Sequence, residues 1–340
     1  MTARQGSSAG APAGNVASNR KTFPPKNGGG ASWGVDRVSA WWGVRRWSGD
    51  PSSWSVVTER SGIGSSRSCV IDGVHVSVND PCDRLPTARV DLNPSRLIDP
   101  DGVSLCRVEE VPALVCRAIA KALAVVEAPT DMASVRLSRL DVARDFRTSS
   151  AAAVISALGP VPRRWARRNL VHADAARGGA QTLMVGSGAG VVRLYDKAAE
   201  SGGRAPDGTV RWEVEARRWL SRFGGLSFLG DLAPGSVSAL AADRWEWSAM
   251  GVEVACGLSE IVRRVEASGL SPALRRSFLG YLVEQASGCS SSAVPSATAA
   301  KYRALQRSLS IVVSPQVFEA GSSVTRRLDW DSGEEVLRVA

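Results

Sequence analysis

Short runs in which apolar and polar residues alternate dominate the chain as far as Trp219, and longer runs with apolar residues every three to four positions follow. A period of two predicts half-buried strands, and a period near 3.6 predicts helices. The strand pattern covers Val35 to Val44, Ser53 to Thr58, Cys69 to Val78 and Val90 to Leu92, with Gly, Ser, Asp and Pro between the runs. Asp99-Pro100-Asp101-Gly102 reads as a turn, because its proline and glycine suit the backbone angles of one. Glu109 to Glu127 predicts a helix, with Pro112 and acids in its first turn, Val115, Ile119, Ala122 and Val126 on one face, and Pro129 beyond its end. Strand character returns at Ser134 to Phe146, and Ala151 to Leu158 reads as a short helix. Gln181 to Val185 then pairs with Val191 to Asp196 across Gly186-Ser187-Gly188-Ala189-Gly190 as a hairpin. These glycines do not read as a phosphate loop, since no Gly-Lys-Ser/Thr follows and the next element is a strand.

Val210 to Trp219 is a further strand. Helical patterns follow at Ser236 to Ala249, Leu258 to Ala267, Pro272 to Ser287, Ala297 to Ser310 and Pro315 to Ala320, with Ser271-Pro272 and Ser314-Pro315 as cap and first-turn signals. Residues 1–30 are rich in Gly, Ala, Ser and Pro, carry only basic charges, and are expected to be a disordered basic arm. The chain therefore divides into that arm, a mixed sheet domain over 31–232 and a helical region over 233–340 assigned to DNA binding or dimerisation. Pro272 to Ser287 and Ala297 to Ser310 are candidate helices for a helix-turn-helix, although Cys289 to Pro295 is longer than a tight turn.

The 340 residues are 44% hydrophobic, enough for a sizeable core, and carry a formal charge of +9. Most of the positive charge is arginine, which pairs with phosphate bidentately, so nucleic acid is the natural partner; scattered solvated charge is the competing reading. Six cysteines show no zinc-ligand spacing and read as reduced core residues. The N-terminus lacks a secretory pattern and no run approaches the ~20 apolar residues of a membrane span, so a cytoplasmic protein off the membrane is expected.

Chemistry concentrates on three strand segments that place charged residues two apart, each set therefore on one side of a sheet. They are Arg139-Leu140-Asp141, Arg193-Leu194-Tyr195-Asp196-Lys197 and Arg211-Trp212-Glu213-Val214-Glu215-Ala216-Arg217. Leu140, Leu194, Trp212 and Val214 fall on the opposite, packed side. Tyr195 is one of only three tyrosines, and a phenol with its usual pKa near ~10 attacks poorly unless charge or a metal stabilises the phenolate. Arg193 and Lys197 are candidates for that charge. Asp141 and Glu213, with Glu215 as second choice, offer hard oxygen ligands that favour Mg2+ or Mn2+ over zinc. A solvated face laced by Arg–Glu pairs, each contributing a few tenths of a kcal/mol, is the plain alternative. Arg163-Arg164-Trp165-Ala166-Arg167-Arg168 reads either as a phosphate clamp with a stacking indole or as a solvated basic loop. Tyr281 and Tyr302 stand on helical patterns and are expected to pack.

These segments, in this order, with Glu200 and with Asn93-Pro94-Ser95-Arg96-Leu97 upstream, resemble the replication initiators of rolling-circle plasmids of the Rep_trans group and of filamentous phages. The resemblance runs over about residues 33–220. It implies an α+β fold, a mostly antiparallel sheet with helices on one face followed by the helical C-terminal region. It also implies a site-specific DNA nickase and strand transferase, in which Tyr195 becomes joined to a 5′ phosphate and a 3′ hydroxyl is left to prime synthesis. By position, Asp141 and Glu213 would hold the divalent metal, and Lys197 and Arg193 would steady phosphate and phenolate. The expected DNA contacts are Arg139, Arg144 and Arg211, together with Arg163, Arg164, Trp165, Arg167 and Arg168. Origin DNA, single-stranded at the nick, and a host helicase and polymerase would be the partners. The chain departs from related nickases in having no His-hydrophobic-His triplet, only His75 and His172, and no second tyrosine near Tyr195. Termination would then use water or the tyrosine of a second subunit in a homodimer. A non-catalytic DNA-binding regulator and a metal-dependent nuclease using activated water stay open as alternatives.

Overall fold

The computed structural model describes residues 33–48, 51–60, 64–98, 103–159, 161, 169–174, 179–187, 190–217, 220–222, 225–287, 294–313 and 324–339. The N-terminal arm, the basic run from Arg163 to Arg168, Cys289 and the helix expected at Pro315 to Ala320 lie outside them.

The alternating runs form strands β1 (Trp33–Gly43), β2 (Val56–Arg60), β3 (Gly64–Ile71), β4 (Val74–Pro81) and β5 (Thr87–Leu92). The run read as one strand from Cys69 to Val78 is therefore two. Asp72 and Gly73 turn the chain there with φ of 47° and 80°, the left-handed pair that a two-residue hairpin needs. Helices α1 (Pro94–Ile98) and α2 (Val111–Ala122) follow. The helix expected to reach Glu127 stops five residues early, because the chain bends so that Val126 can bridge to Trp47. Next come β6 (Arg136–Arg147), α3 (Ala151–Leu158), β7 (Asn169–Asp174), β8 (Gly179–Ser187), β9 (Gly190–Asp196), α4 (Lys197–Glu200) and β10 (Thr209–Ala216). The last third holds α5 (Pro234–Ser248), β11 (Val254–Ala255), α6 (Leu258–Ala267), α7 (Pro272–Ala286), α8 (Ser296–Ser308), β12 (Val324–Asp329) and β13 (Glu334–Val339). The expected helical C-terminal region holds α5 to α8, and the β12–β13 hairpin is an addition to it.

The strands make one sheet in the order β2-β3-β4-β5-β1-β6-β10-β9-β8-β7, every pair antiparallel. It is an α+β fold with a mostly antiparallel sheet. One face is the core. Val38, Val76, Val90, Val142, Leu194 and Val214 point into it, and α2, α3 and α5 cover it with Val115, Ile155 and Leu240. Trp212, Trp245, Trp330 and Phe146 pack ring against ring there at 5.0–6.3 Å between centroids. Trp330 comes from the turn of the β12–β13 hairpin, so the chain's last strands are fastened to the centre of the sheet. Aromatic pairs of this kind add about 0.5–1.5 kcal/mol each beyond their burial.

A second, smaller core joins α6, α7 and α8 through Ile261, Val265, Phe278, Leu282 and the two packed tyrosines, Tyr281 and Tyr302, whose rings lie 5.1 Å apart. The short turn in this region links α6 to α7, not α7 to α8, with Gly269 at φ 69°. Cys69, Cys106 and Cys256 are buried, whereas Cys82 and Cys116 are exposed and not core residues.

Candidate active site

On the face of the sheet opposite the core, alternation brings together the charged residues of β9, β10, β6 and β1. β10 pairs Arg211 with Asp145, and Glu215 with Asp141, on β6; on its other side it pairs Arg211 with Tyr195, and Glu213 with Arg193, on β9. Every residue of β10 is buried. Its apolar half is sealed by the core, while its charged half is sealed by guanidinium–carboxylate pairing with the neighbouring strands, the condition under which buried charge is tolerated.

Tyr195 is half-buried in this array and donates its hydroxyl proton to Glu213 Oε2 at 3.0 Å. Arg193 holds the other oxygen, Glu213 Oε1, at 2.9 Å through Nη1 and reaches Glu215 Oε2 at 2.9 Å through Nη2. Arg139 grips Asp141 with Nε, at 2.8 Å from Oδ1, and reaches Glu215 Oε2 at 3.0 Å with Nη2. Arg217 pairs with Glu215 Oε1. The segments singled out in the sequence thus form one connected lattice, Tyr195–Glu213–Arg193–Glu215–Arg139–Asp141.

Two acids that the sequence reading passed over complete it. Arg211, wholly buried, donates from Nε to Asp145 Oδ1 at 2.6 Å and from Nη1 to Asp36 Oδ1 at 2.8 Å. Asp145 continues the alternation of β6 and was legible there. Asp36 was not, because it sits where the β1–β6 register shifts between Val35 and Arg37, and such a bulge re-aims a side chain. Arg211 also donates to the Val103 carbonyl. That segment can lie so close because Gly34 has no side chain: a Cβ there would stand 2.2 Å from the Cys106 carbonyl oxygen. A cavity of about 240 Å³ opens beside Asp145, between Val103, Arg147, Pro206 and Thr209.

The rest of the Tyr-Asp-Lys segment has local work. Asp196 caps α4 by accepting from the Ala199 amide at 2.9 Å, and Lys197 Nζ pairs with Glu200 at 2.6 Å. Lys197 lies 5.9 Å from the Tyr195 ring centroid, over the ring and not at the hydroxyl. Arg144 departs from the expected DNA contacts: it is on the core face, 4.9 Å above the Trp330 ring, and donates to the Asp331 carbonyl. Its neighbours in sequence face the other way because side chains alternate along a strand. Arg211 is in the expected group but is enclosed by Asp145 and Asp36, so its contact is with those acids.

Burial raises the Tyr195 hydroxyl pKa, with Glu213 adding to the rise and Arg211 opposing it. Burial and nearby Asp36 also lift Glu213 above the usual carboxylate range, against the pull of Arg193. Burial pushes Asp141 up to about 7 in spite of Arg139. Glu215, held by three arginines, is lowered. Asp141, Glu213 and Glu215 therefore have arginine or tyrosine on their oxygens, and among the described residues no three acid, histidine or cysteine side chains converge as a metal nest. As arranged, this donor set does not fit a divalent ion; an arginine would first have to release an oxygen.

The chain thus presents an antiparallel sheet with one packed face and one charged face, the latter carrying a phenol hydrogen-bonded to a raised carboxylate. No family model matches it, and no curated protein matches it. Among solved structures it is similar to a rolling circle replication initiator protein from Geobacillus stearothermophilus, with 16% identity over 64% of this chain and 85% of that one, at a TM-score of 0.36. A likeness of that size carries no argument, and the side chains have to supply it. No helix among the described residues is long and apolar enough to cross a membrane.

Proposed function

We propose that the open face is the nicking centre of a DNA strand transferase that initiates rolling-circle replication of a phage or plasmid, with Tyr195 as nucleophile. The observation that carries this reading is the hydrogen bond from the Tyr195 hydroxyl to Glu213. A phenol whose pKa is raised cannot wait as phenolate, so it has to lose its proton during attack. Glu213 stands at hydrogen-bond distance with its carboxyl raised above the usual carboxylate range by burial, the arrangement that suits a general base. In the proposed step Tyr195 Oη bonds to phosphorus while its proton passes to Glu213. The bond to O3′ breaks, and that oxygen takes a proton from solvent water to become the 3′ hydroxyl, a proton it returns to solvent when the strand closes. Strand closure runs the same path backwards, with Glu213 returning the proton to Tyr195. Arg193 keeps the carboxylate aimed by its own bond to Oε1. Arg211 acts as a positioning residue that fixes Asp36 and Asp145 beside the ring. Origin DNA, a host helicase and polymerase and a second copy of this chain belong to the same reading, as does DNA binding or dimerisation by α6–α8.

The test is to incubate the full chain with supercoiled DNA of its own replicon, in Mg2+, in Mn2+ and in chelator, and to look on a denaturing gel for a protein joined to a 5′ DNA end. Wild type should form it and Tyr195→Phe should not. Nicking without adduct that survives Tyr195→Phe would point to activated water, and a wild type that neither nicks nor forms an adduct with either ion would overturn the proposal. The three ion conditions decide the expected divalent requirement in the same gel.

A further inference from the structure

Beyond Tyr195 the open face continues across β6 and β1 to β5, and its character changes. Paired residues keep their side chains on one face, so Ser39↔Asp91 and Trp41↔Arg89, with Ser39↔Arg139 and, past a register shift between Ser39 and Ala40, Trp41↔Arg136, carry the charged face onward. Arg37 donates to Asp91 at 2.6 Å, and Arg89 reaches Ser39 at 3.0 Å and Asp91 at 3.1 Å. Their side chains remain 45% and 44% exposed, in contrast to the enclosed Arg211 of β10. Arg136, exposed, has no carboxylate partner among the described residues and lies 5.6 Å over the Trp41 ring and 5.0 Å over Phe228. Three exposed guanidiniums and two aromatic rings thus share a single acid, Asp91.

We infer that this β5–β1–β6 surface is a track for the unpaired DNA strand, on which Arg37, Arg89 and Arg136 take phosphates and Trp41 stacks a base. The inference rests on the nicking role proposed for Tyr195 and names the path by which its substrate leaves that residue. Four strand spacings separate β9 from β5, roughly 19 Å, enough for a few nucleotides. Exposed cations interleaved with aromatic rings are how sequence-tolerant single-strand sites hold the backbone and the bases. The division of charge also suits the chemistry: the acid-rich end repels phosphate except where arginines compensate it, and the cationic end anchors the strand.

The experiment is fluorescence anisotropy of the full chain with fluorescein-labelled dT12, free of divalent ions, over a series of salt concentrations. For the double variant Arg37→Gln/Arg89→Gln the dissociation constant should rise about tenfold, and the log–log salt slope should fall by about 1.4, twice the single-strand increment of ~0.7 per phosphate. Trp41→Ala should weaken binding about fivefold or more with the slope unchanged. Thermal melting establishes that each variant is folded, and Trp41→Phe, which keeps a ring, should recover most of the binding. Affinity for dT12 within twofold of wild type in the double variant and in Trp41→Ala would overturn the track. So would an equal loss on a blunt duplex, since that describes a general phosphate surface. The adduct assay is separate: a wild type that makes no adduct while the double variant loses dT12 removes the nicking reading and leaves the track, and the converse result removes the track alone.

Discussion

At the β9–β10 end of the open face each carboxylate meets a guanidinium, a phenol is bonded to Glu213, and the charged side chains are largely shut from water. At the β5–β1 end the same alternation leaves arginines nearly half exposed around one acid. Strand periodicity is common to both, so it does not explain the contrast. The difference lies in the neighbours: β10 has a charged strand on each side, whereas β5 faces β4, which offers His75 and Ser77 opposite Asp91 and Arg89. Charge matched across two strand pairs yields a rigid, preorganised site, and charge left unmatched yields a binding surface.

Glu213→Gln is the sharpest way to break this contrast. It should lower nicking about 10²- to 10⁴-fold, the usual weight of a general base, while dT12 binding at the other end stays within twofold. In wild type the rate should climb with pH as Glu213 loses its proton, along a limb above the ordinary carboxylate range, and Gln should erase that limb. A rate that is flat with pH in wild type would remove Glu213 from the base role. Arg211→Ala comes next and reads out in stability. It strands Asp36 and Asp145 beside a buried position, and truncating one partner of such a pair costs about 3–5 kcal/mol, seen as a lower denaturant midpoint. The matching change at exposed Arg89 should alter the midpoint by no more than ~0.5 kcal/mol.

A pH dependence tests the acid-rich end of the face. Asp141 keeps its proton in the folded protein up to about 7, against ~3.9 when unfolded, so the stability due to that proton is complete below about pH 4 and is lost as pH rises through 7. Asp141→Asn has no proton to lose. Its melting temperature should gain on wild type between pH 5 and pH 8, and a constant difference would show that Arg139 holds Asp141 ionised throughout.

Much of the charged face was legible before folding. Charged or phenolic side chains two apart on β6, β9 and β10 imply one shared face, and the structure gathers Arg139, Asp141, Arg193, Tyr195, Glu213 and Glu215 there. The helices from α5 to α8 were legible within a few residues because their apolar spacing is long and regular. The hairpin at Asp72-Gly73 was also written in the chain, since Asp-Gly is a turn signal inside what otherwise reads as one apolar run. The β12–β13 hairpin gave less warning, because its anchor, Trp330, acquires meaning only beside Trp212, Trp245 and Phe146, whose partners are more than eighty residues away for all but one.

What the sequence determined by itself is which residues share a face along an unbulged strand, because side-chain direction there follows from local backbone geometry. What only the tertiary structure decided is which groups on that face touch. Strand order brings Tyr195 to Glu213 and Glu215 to Arg139, and the bulge in β1 swings Asp36 onto Arg211. Those pairings depend on register between strands far apart in the chain, which no local pattern encodes. They in turn set desolvation and neighbouring charge, and with them the proton affinities on which the chemistry depends.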